Sequence, residues 1–328
     1  MEPLRRNPEA VARCIQEANT IAVVSHINPD GDTLGAATAM YLILRKLNKD
    51  VALFCDGKIP DSLSFLPAVD LFRVPTGKEG PFDLMLAVDV SDRKRMGSAD
   101  GLMAQSRMTA QIDHHSTNPQ YMQVNSVDGN SPATCVMIRE QMDFLNVSMT
   151  REIAICLYTG ISTDTGNFSF SYTNAEVFHL MSELMHHDLP LAKLNRILFR
   201  EKSREQVKLL GKALNSLTFC GNGKIAVMKL TREDFLETGA LSEHADTIVD
   251  YGLYTTGTKM AMLARETEKG EIKFSLRALD PCTVNNIAER FGGGGHPQAA
   301  GLTLYNGLNE AVEMVLAAME EEQKSLEE

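Results

Sequence analysis

From the N-terminus to about residue 190, short and almost unbroken apolar runs alternate with longer stretches whose apolar residues return every three or four positions. The runs are Ile21–Ser25, Val51–Phe54, Leu84–Val88 and Thr109–Ile112. Helical spacing covers Thr33–Lys46 and, roughly, 133–143 and 151–162. Strands that are apolar on both faces belong to parallel sheets covered on both sides, and the intervening helices supply the crossovers. This part of the chain therefore predicts an α/β domain with helices on both faces of a parallel sheet. From about residue 215 the pattern changes. Leu217–Cys220 and Lys224–Leu230 flank Gly221-Asn222-Gly223, and Lys259–Arg265 and Glu271–Leu276 flank a polar turn through Lys269-Gly270, which reads as two hairpins. Asn309 is placed to cap an amphipathic helix running to about residue 326. The expected organisation is a catalytic domain over 1–190, a helical connector over 191–214 and a smaller α+β domain over 215–328.

Composition narrows the function classes. A chain of 328 residues exceeds what one core usually holds, in keeping with two domains. No apolar run approaches the roughly 18–20 residues that span a bilayer, and residues 1–20 lack a signal-peptide core, so no membrane association is expected. Six cysteines are scattered without a paired spacing, which reads as reduced thiols in a cytoplasmic protein. The net charge of −11 argues against a protein that grips long nucleic acid, because phosphate neutralisation supplies most of that affinity. Small phosphorylated substrates remain open, since bound metals and a few arginines suffice for their charge.

The candidate chemistry sits in four blocks: His26-Ile27-Asn28-Pro29-Asp30-Gly31-Asp32, Asp89-Val90-Ser91-Asp92, Asp113-His114-His115 and Ser162-Thr163-Asp164-Thr165-Gly166. Three of the four directly follow an apolar run. Loops at the carboxyl ends of parallel strands share one edge of a sheet, so these distant segments are expected to meet. Each block has a plainer reading in isolation: Asp30 or Asp32 as a helix cap, Asp89 as an ordinary strand end, the histidine pair as structural. Carboxylates gathered without counter-charge repel one another and become protonated, whereas divalent cations resolve the crowding. Mixed His/Asp ligation suits manganese, iron or zinc better than calcium. Two such ions form the clamp for in-line attack on phosphorus.

In order and in spacing, the four blocks resemble the motifs of the DHH phosphoesterase superfamily, named for the triplet found here at Asp113-His114-His115. Near the C-terminus, Phe291-Gly292-Gly293-Gly294-Gly295-His296-Pro297-Gln298-Ala299-Ala300-Gly301 resembles the signature of the DHH-associated C-terminal domain. Domain order and length best resemble the oligoribonuclease/pAp-phosphatase group.

The resemblance implies His26, Asp30 and Asp89 around one metal and Asp32, Asp89, His114 and Asp164 around the other, with Asp89 bridging. It implies that Asp113 orients His114 and that His115 serves as hydrogen-bond donor or acid toward the leaving oxygen. Catalytic roles thus fall to His115, Asp113 and Asp89. Substrate contacts are assigned to Arg277, to the glycine loop Gly293, Gly294 and Gly295, and to His296. Of the two arginines just beyond Asp89, Arg93 is read as a phosphate contact and Arg95 as a solvated loop residue. Ser131 and Thr134 are read as helix caps. The implied cofactors are two divalent ions, manganese in the first place, with Mg²⁺, Co²⁺ or Zn²⁺ as substitutes. The implied substrates are short oligonucleotides, pAp or dinucleotides. Hydrolysis of cyclic or linear dinucleotides, and a nucleotide sensor without turnover, are the competing readings. The two domains are expected to face across a cleft that opens and closes at the connector.

Overall fold

The apolar runs of the first half are strands of a six-stranded, all-parallel sheet in the order β3-β2-β1-β4-β5-β6. The computed structural model describes residues 5–325, which divide between Glu201 and Lys202 into two compact units. In the first unit the strands are β1 (Thr20–Val24), β2 (Asp50–Phe54), β3 (Phe72–Arg73), β4 (Phe82–Val88), β5 (Ser106–Asp113) and β6 (Val124–Val127). The sequence pattern did not reveal β3, which is two residues long, or β6, whose centre is Asn125-Ser126. The helices are α1 (Pro8–Glu17), α2 (Gly31–Lys46), α3 (Thr134–Leu145), α4 (Arg151–Asp164), α5 (Ala175–Met185) and the short α6 (Leu191–Asn195).

Successive side chains of a strand point to opposite faces, and the core divides accordingly. Ile21, Val23, Leu84, Leu86 and Val88 pack against α1 to α5. Ala22, Val24, Met85 and Ala87 pack against Val90, Met96, Ala99 and Leu102, mostly in the 3₁₀ stretch Arg93–Gln105. Helices therefore cover both faces, long ones on one side and a kinked 3₁₀ segment on the other. Leu34, Met40, Ile43 and Leu44 of α2 are fully buried, each contributing about 1.5–3 kcal/mol by leaving water. The strand order reverses at β1, which has β2 on one side and β4 on the other, and the loops after both strands open at the same edge.

The second unit has a mixed sheet in the order β11-β12-β10-β9-β8-β7, built from β7 (Thr218–Cys220), β8 (Ile225–Leu230), β9 (Met260–Glu266), β10 (Ile272–Ala278), β11 (Gly294–His296) and β12 (Ala299–Leu304). Both expected hairpins are present, and β8 and β9 pair in parallel between them. Its helices are α7 (Arg204–Asn215), α8 (Arg232–Thr238), α9 (Asp250–Leu253), α10 (Asn285–Arg290) and α11 (Leu308–Ser325). Asn309 lies inside the first turn of α11 rather than capping it, and its side chain accepts from Lys229 Nζ at 3.2 Å. The last residue of the expected helix, 326, lies outside the described residues. The stretch expected as a connector is shared: Leu194 belongs to the core of the first unit, and Leu209 and Ala213 of α7 to that of the second.

Helices α10 and α11 cover one face of this sheet through Phe274, Leu276 and Leu302, while α7 and α9 pack their apolar residues on the other face over β8 and β9. On that second face, Ser275 and Arg277 of β10 stand in register with Gly301 and Ala299 of β12, none of them fully buried. Among the described residues no helix is long and apolar enough to cross a membrane, and all six cysteines are free thiols.

Candidate metal centre

The loop that leaves β1 carries His26, which is almost fully buried. Its backbone N–H points to Thr33 Oγ1 at 3.4 Å, and that hydroxyl donates to the carbonyl of Val88 at 3.2 Å, tying the ends of β1 and β4 to the start of α2. His26 Nδ1 lies 2.6 Å from the carbonyl of Ile27. A carbonyl can only accept, so Nδ1 holds the proton and Nε2 faces Asp30 Oδ2 at 3.5 Å and Asp89 Oδ2 at 3.6 Å. Asp30 is both a cap and a member of the cluster: Oδ1 accepts from the N–H groups of Asp32 and Thr33, leaving Oδ2 for His26.

Asp32 is fully buried, with Oδ2 accepting from Thr134 N at 2.6 Å and Oδ1 from Cys135 N at 3.0 Å. These are the first amides of α3, where the helix dipole favours an anion. Close packing of α2 on α4 brings in the fourth block. A Cβ on Gly160 would lie 2.5 Å from Asp32 Oδ1, and one on Gly35 would lie 2.6 Å from the carbonyl of Cys156. Only glycine fits either position. Asp164 ends α4, where a carboxylate runs against the helix dipole, a placement that does nothing for helix stability.

Asp89 stands where the groups meet. It adopts φ +59°, a left-handed conformation that costs a non-glycine residue about 1–3 kcal/mol and gathers at functional sites. Oδ2 faces His26, while Oδ1 accepts from Thr134 Oγ1 at 3.0 Å and lies 3.6 Å from both His114 Nε2 and His115 Nδ1. His114 Nε2 also lies 3.2 Å from Asp164 Oδ2 and 4.0 Å from Asp32 Oδ2. Three overlapping groups result: His26, Asp30 and Asp89; Asp32, His114 and Asp164; and Asp89, His114 and His115, each with its ligand atoms within 4.8 Å of one another.

The expected partner of Asp113 is corrected. Asp113, fully buried, accepts from His115 Nδ1 at 2.8 Å, whereas His114 Nδ1 donates to the carbonyl of Ser131 at 3.1 Å. The chain leaves β5 at Asp113 with the two imidazoles turned to different partners, His115 to Asp113 and His114 to Ser131. Asp113 is held in turn by Asn118 Nδ2 at 2.5 Å, which also donates to the carbonyl of Val90 at 3.2 Å. Asn118 was not foreseen: its Asn-Pro sequence signals a turn but not burial. Thr134, expected as a cap, instead donates to Asp89.

The two arginines are placed differently from what the sequence suggested. Arg93, expected to hold phosphate, is exposed and engaged at both ends by Asp100, at 2.7 and 2.8 Å. The cause is local, since the 3₁₀ stretch that begins at Arg93 brings the two residues side by side. Arg95, expected to be solvated, is half-buried with Nη2 3.1 Å from His26 Nδ1.

The electrostatics follow from crowding. Burial, then the charges of Asp89 and Asp164, push Asp32 well above the usual carboxylate range. Burial and the charges of Asp89 and Asp30 take Asp164 to about 8. Burial opposes charge on His26 and His115, but their carboxylate neighbours outweigh it and hold them at about 10 and about 9. Asp30, although its surroundings also oppose the charge, is lowered by its bond to His26. The donor set is imidazole nitrogens and carboxylate oxygens, and both histidines aimed at the carboxylates through Nε2 have Nδ1 tied to a backbone carbonyl. That set fits divalent cations, and positive charge among these carboxylates would reverse the repulsion that raises Asp32 and Asp164.

In the second unit, Arg277 donates through Nε to Asp250 at 3.0 Å and through Nη1 to its neighbour's carbonyl, Leu276, at 3.1 Å. The glycine block is an edge strand rather than a loose loop, since Gly294, Gly295 and His296 of β11 pair with Gly301, Ala300 and Ala299. A Cβ on Gly293 would lie 2.2 Å from the carbonyl of Gly301, and Gly295, at φ +147°, would meet the carbonyl of Ala299 at 2.5 Å. Glycine there is required by strand approach. Arg277, Ala299 and His296 form one cross-strand row, which puts the guanidinium and the imidazole on the same face.

Residues 20–161 match the model of the DHH family, N-terminal domain, and residues 222–325 that of the DHHA1 domain. The chain is 34% identical over 304 residues to the bifunctional oligoribonuclease and PAP phosphatase NrnA of Thermus thermophilus, covering 92% of this chain and 90% of that one.

It belongs to the DHH family.

A protein of the same name from Bacillus subtilis is 27% identical, covering 90% of this chain and 92% of that one. An exopolyphosphatase-related protein from Bacteroides fragilis shares the fold with a TM-score of 0.92 at 24% identity, over 98% of this chain and 97% of that one. The DHH match spans His26 to His115 of the cluster and stops just short of Asp164, and the DHHA1 match contains Arg277 and the glycine block.

Proposed function

We propose that this protein is a two-metal phosphoesterase that hydrolyses short oligonucleotides to mononucleotides and pAp to AMP. The observation that carries the reading is the position of Asp89, whose two carboxylate oxygens face different groups: Oδ2 the His26 side, Oδ1 the His114 side. A carboxylate so placed is suited to bridge a pair of cations, with His26 and Asp30 completing one group and Asp32, His114 and Asp164 the other. The names of the relatives from Thermus thermophilus and Bacillus subtilis, bifunctional oligoribonuclease and PAP phosphatase, support the substrate class.

Two divalent ions, manganese in our reading, supply Lewis-acid charge at the phosphate oxygens and lower the pKa of a water for attack on phosphorus. The protein's own groups do the rest. Asp113 holds His115 through Nδ1, which leaves Nε2–H to donate to the leaving oxygen. The amides at the start of α3 hold Asp32, and Thr134 holds Asp89, so the carboxylates keep their places as charge shifts. Arg95, half-buried beside His26, is placed to meet a substrate phosphate. In the second unit Arg277 and His296 share one face of the sheet with only the small Ala299 between them, a pair suited to hold the substrate's phosphate.

The test is a metal-free preparation reconstituted with Mn²⁺ and assayed on pAp, di- to pentanucleotides, linear and cyclic di-adenylate and pyrophosphate. Turnover of pAp and short oligonucleotides is expected, together with a rise in Tm on adding the metal. Preference for a cyclic dinucleotide would replace the substrate and keep the chemistry. Tight nucleotide binding with no turnover of any compound would overturn the enzymatic reading in favour of a sensor.

A further inference from the structure

The segment that follows Asp164 exposes aromatic surface which the fold does not use. Gly166, Asn167 and Phe168 all have positive φ, so the chain turns sharply as it leaves α4. Phe168 folds back on the core beside Phe178. Phe170 and Tyr172 do not: their rings lie 5.8 Å apart, tilted by 54°, and remain 51% and 48% exposed. Their positions are nevertheless determined. The Phe170 ring packs over Gly166, where an added Cβ would come within 2.5 Å of it, and Tyr172 Oη donates to the backbone carbonyl of Asp164 at 2.8 Å. Two rigid rings held out in solvent, one bonded to the backbone of a cluster residue, sacrifice apolar burial for something other than stability.

We propose that Phe170 and Tyr172 form a stacking platform for a nucleobase of the substrate, set beside the Asp/His cluster by the carbonyl of Asp164. This rests on the phosphoesterase reading and adds to it where the base goes. The platform begins within one side chain's reach of Asp164, on the scale of the sugar that separates a base from its phosphate. Every base offers a π-face, so stacking holds nucleotides without selecting sequence, as suits an enzyme for short fragments of any composition. No cation is needed for this contact, in keeping with the acidic chain.

The Mn²⁺-loaded protein and its Phe170→Ala variant are compared on a 5′-phosphorylated adenine dinucleotide and on two analogues, each with an abasic sugar at one position. Phe170→Ala should raise KM about tenfold for the full dinucleotide and for one analogue. It should leave KM unchanged for the analogue that lacks the stacked base. Equal losses on all three compounds, or no loss on any, would overturn the platform. A second readout does not depend on turnover. The chain has no tryptophan, so Phe170→Trp introduces a single tryptophan, excited selectively beyond the absorption of tyrosine, whose emission AMP should quench, and an unresponsive signal would also overturn the proposal. Should the unaltered protein turn over neither pAp nor the dinucleotide while AMP still quenches Phe170→Trp, the platform stands and the phosphoesterase reading fails.

Discussion

In the first unit, four aspartates and three histidines crowd the carboxyl ends of parallel strands, several fully buried and most displaced from their ordinary protonation behaviour. In the second, Arg277 and His296 stand on a sheet face that the helices of that unit cover only in part, among Ala299, Gly301 and Ser275. The crowded region has its structure strained toward one purpose: a left-handed Asp89, a carboxylate at the wrong end of α4, and glycines that only make room. The open face is relaxed, and its glycines serve strand approach. Repulsive charge marks a place where cations act on the reacting group; spare polar surface marks a place where a ligand is held. On the proposed function, chemistry falls to one region and binding to the other, and substitutions in each should split kcat from KM.

The largest effect belongs to Asp89→Asn. Asparagine tolerates positive φ and keeps the shape, so the variant should fold while losing the charge that faces both groups. A drop in kcat of at least about a thousandfold is expected with circular dichroism unchanged. Activity within tenfold of the unaltered protein would break the comparison at its strongest point.

Asp113→Asn comes next, at about 10–100-fold in kcat. On the proposed mechanism the protonated form of His115 is the acid, so the rate should hold at lower pH and fall as pH rises toward about 9. Removing the Asp113 charge lowers that pKa and should move the alkaline limb to lower pH. A limb that stays in place would show that the acid is another group.

Arg277→Ala should act on the other quantity, raising KM about tenfold for pAp while kcat changes less than twofold. Its bond to Asp250 gives a control, because Asp250→Asn keeps the arginine and should keep most of the affinity. A kcat loss with KM unchanged would put Arg277 in the chemistry and dissolve the division between the regions.

How much of this could be read from the sequence depended on what each residue answers to. The strands β1, β2, β4 and β5 answer to burial on both faces, and their apolar runs announced them; β6, with Asn125 and Ser126 at its centre, did not. His26, Asp30, Asp32, Asp89 and His114 converge because strand ends share an edge, which topology makes predictable, whereas Asp164 joins them through the packing of α2 on α4. What failed was local direction. Adjacent Asp113, His114 and His115 carry no mark of which imidazole the aspartate holds; that is set by the backbone beyond the end of β5 at Asp113, where the regular alternation of a strand no longer applies. Asn118 and Thr134 were hidden because turn and cap signals say nothing about which buried oxygen a side chain will reach. The glycine block was recognisable as a motif, yet its strand character follows from pairing with β12, a contact that the glycines themselves do not encode.

The smallest expected effect tests that failure of local direction. Arg93 and Arg95 differ by two positions, and the sequence favoured the former as a phosphate contact. In the structure Arg93 spends its guanidinium on Asp100 at 57% side-chain exposure, a surface pair worth about 0–1 kcal/mol, while Arg95 points to His26. Arg93→Ala should therefore change kcat/KM less than twofold and shift Tm by no more than a degree or two, whereas Arg95→Ala should cost about tenfold in kcat/KM for pAp. The reverse order would mean that substrate draws Arg93 away from Asp100. The cluster's cationic side would then form only on binding, unlike the carboxylate side, whose hydrogen bonds already hold it in place.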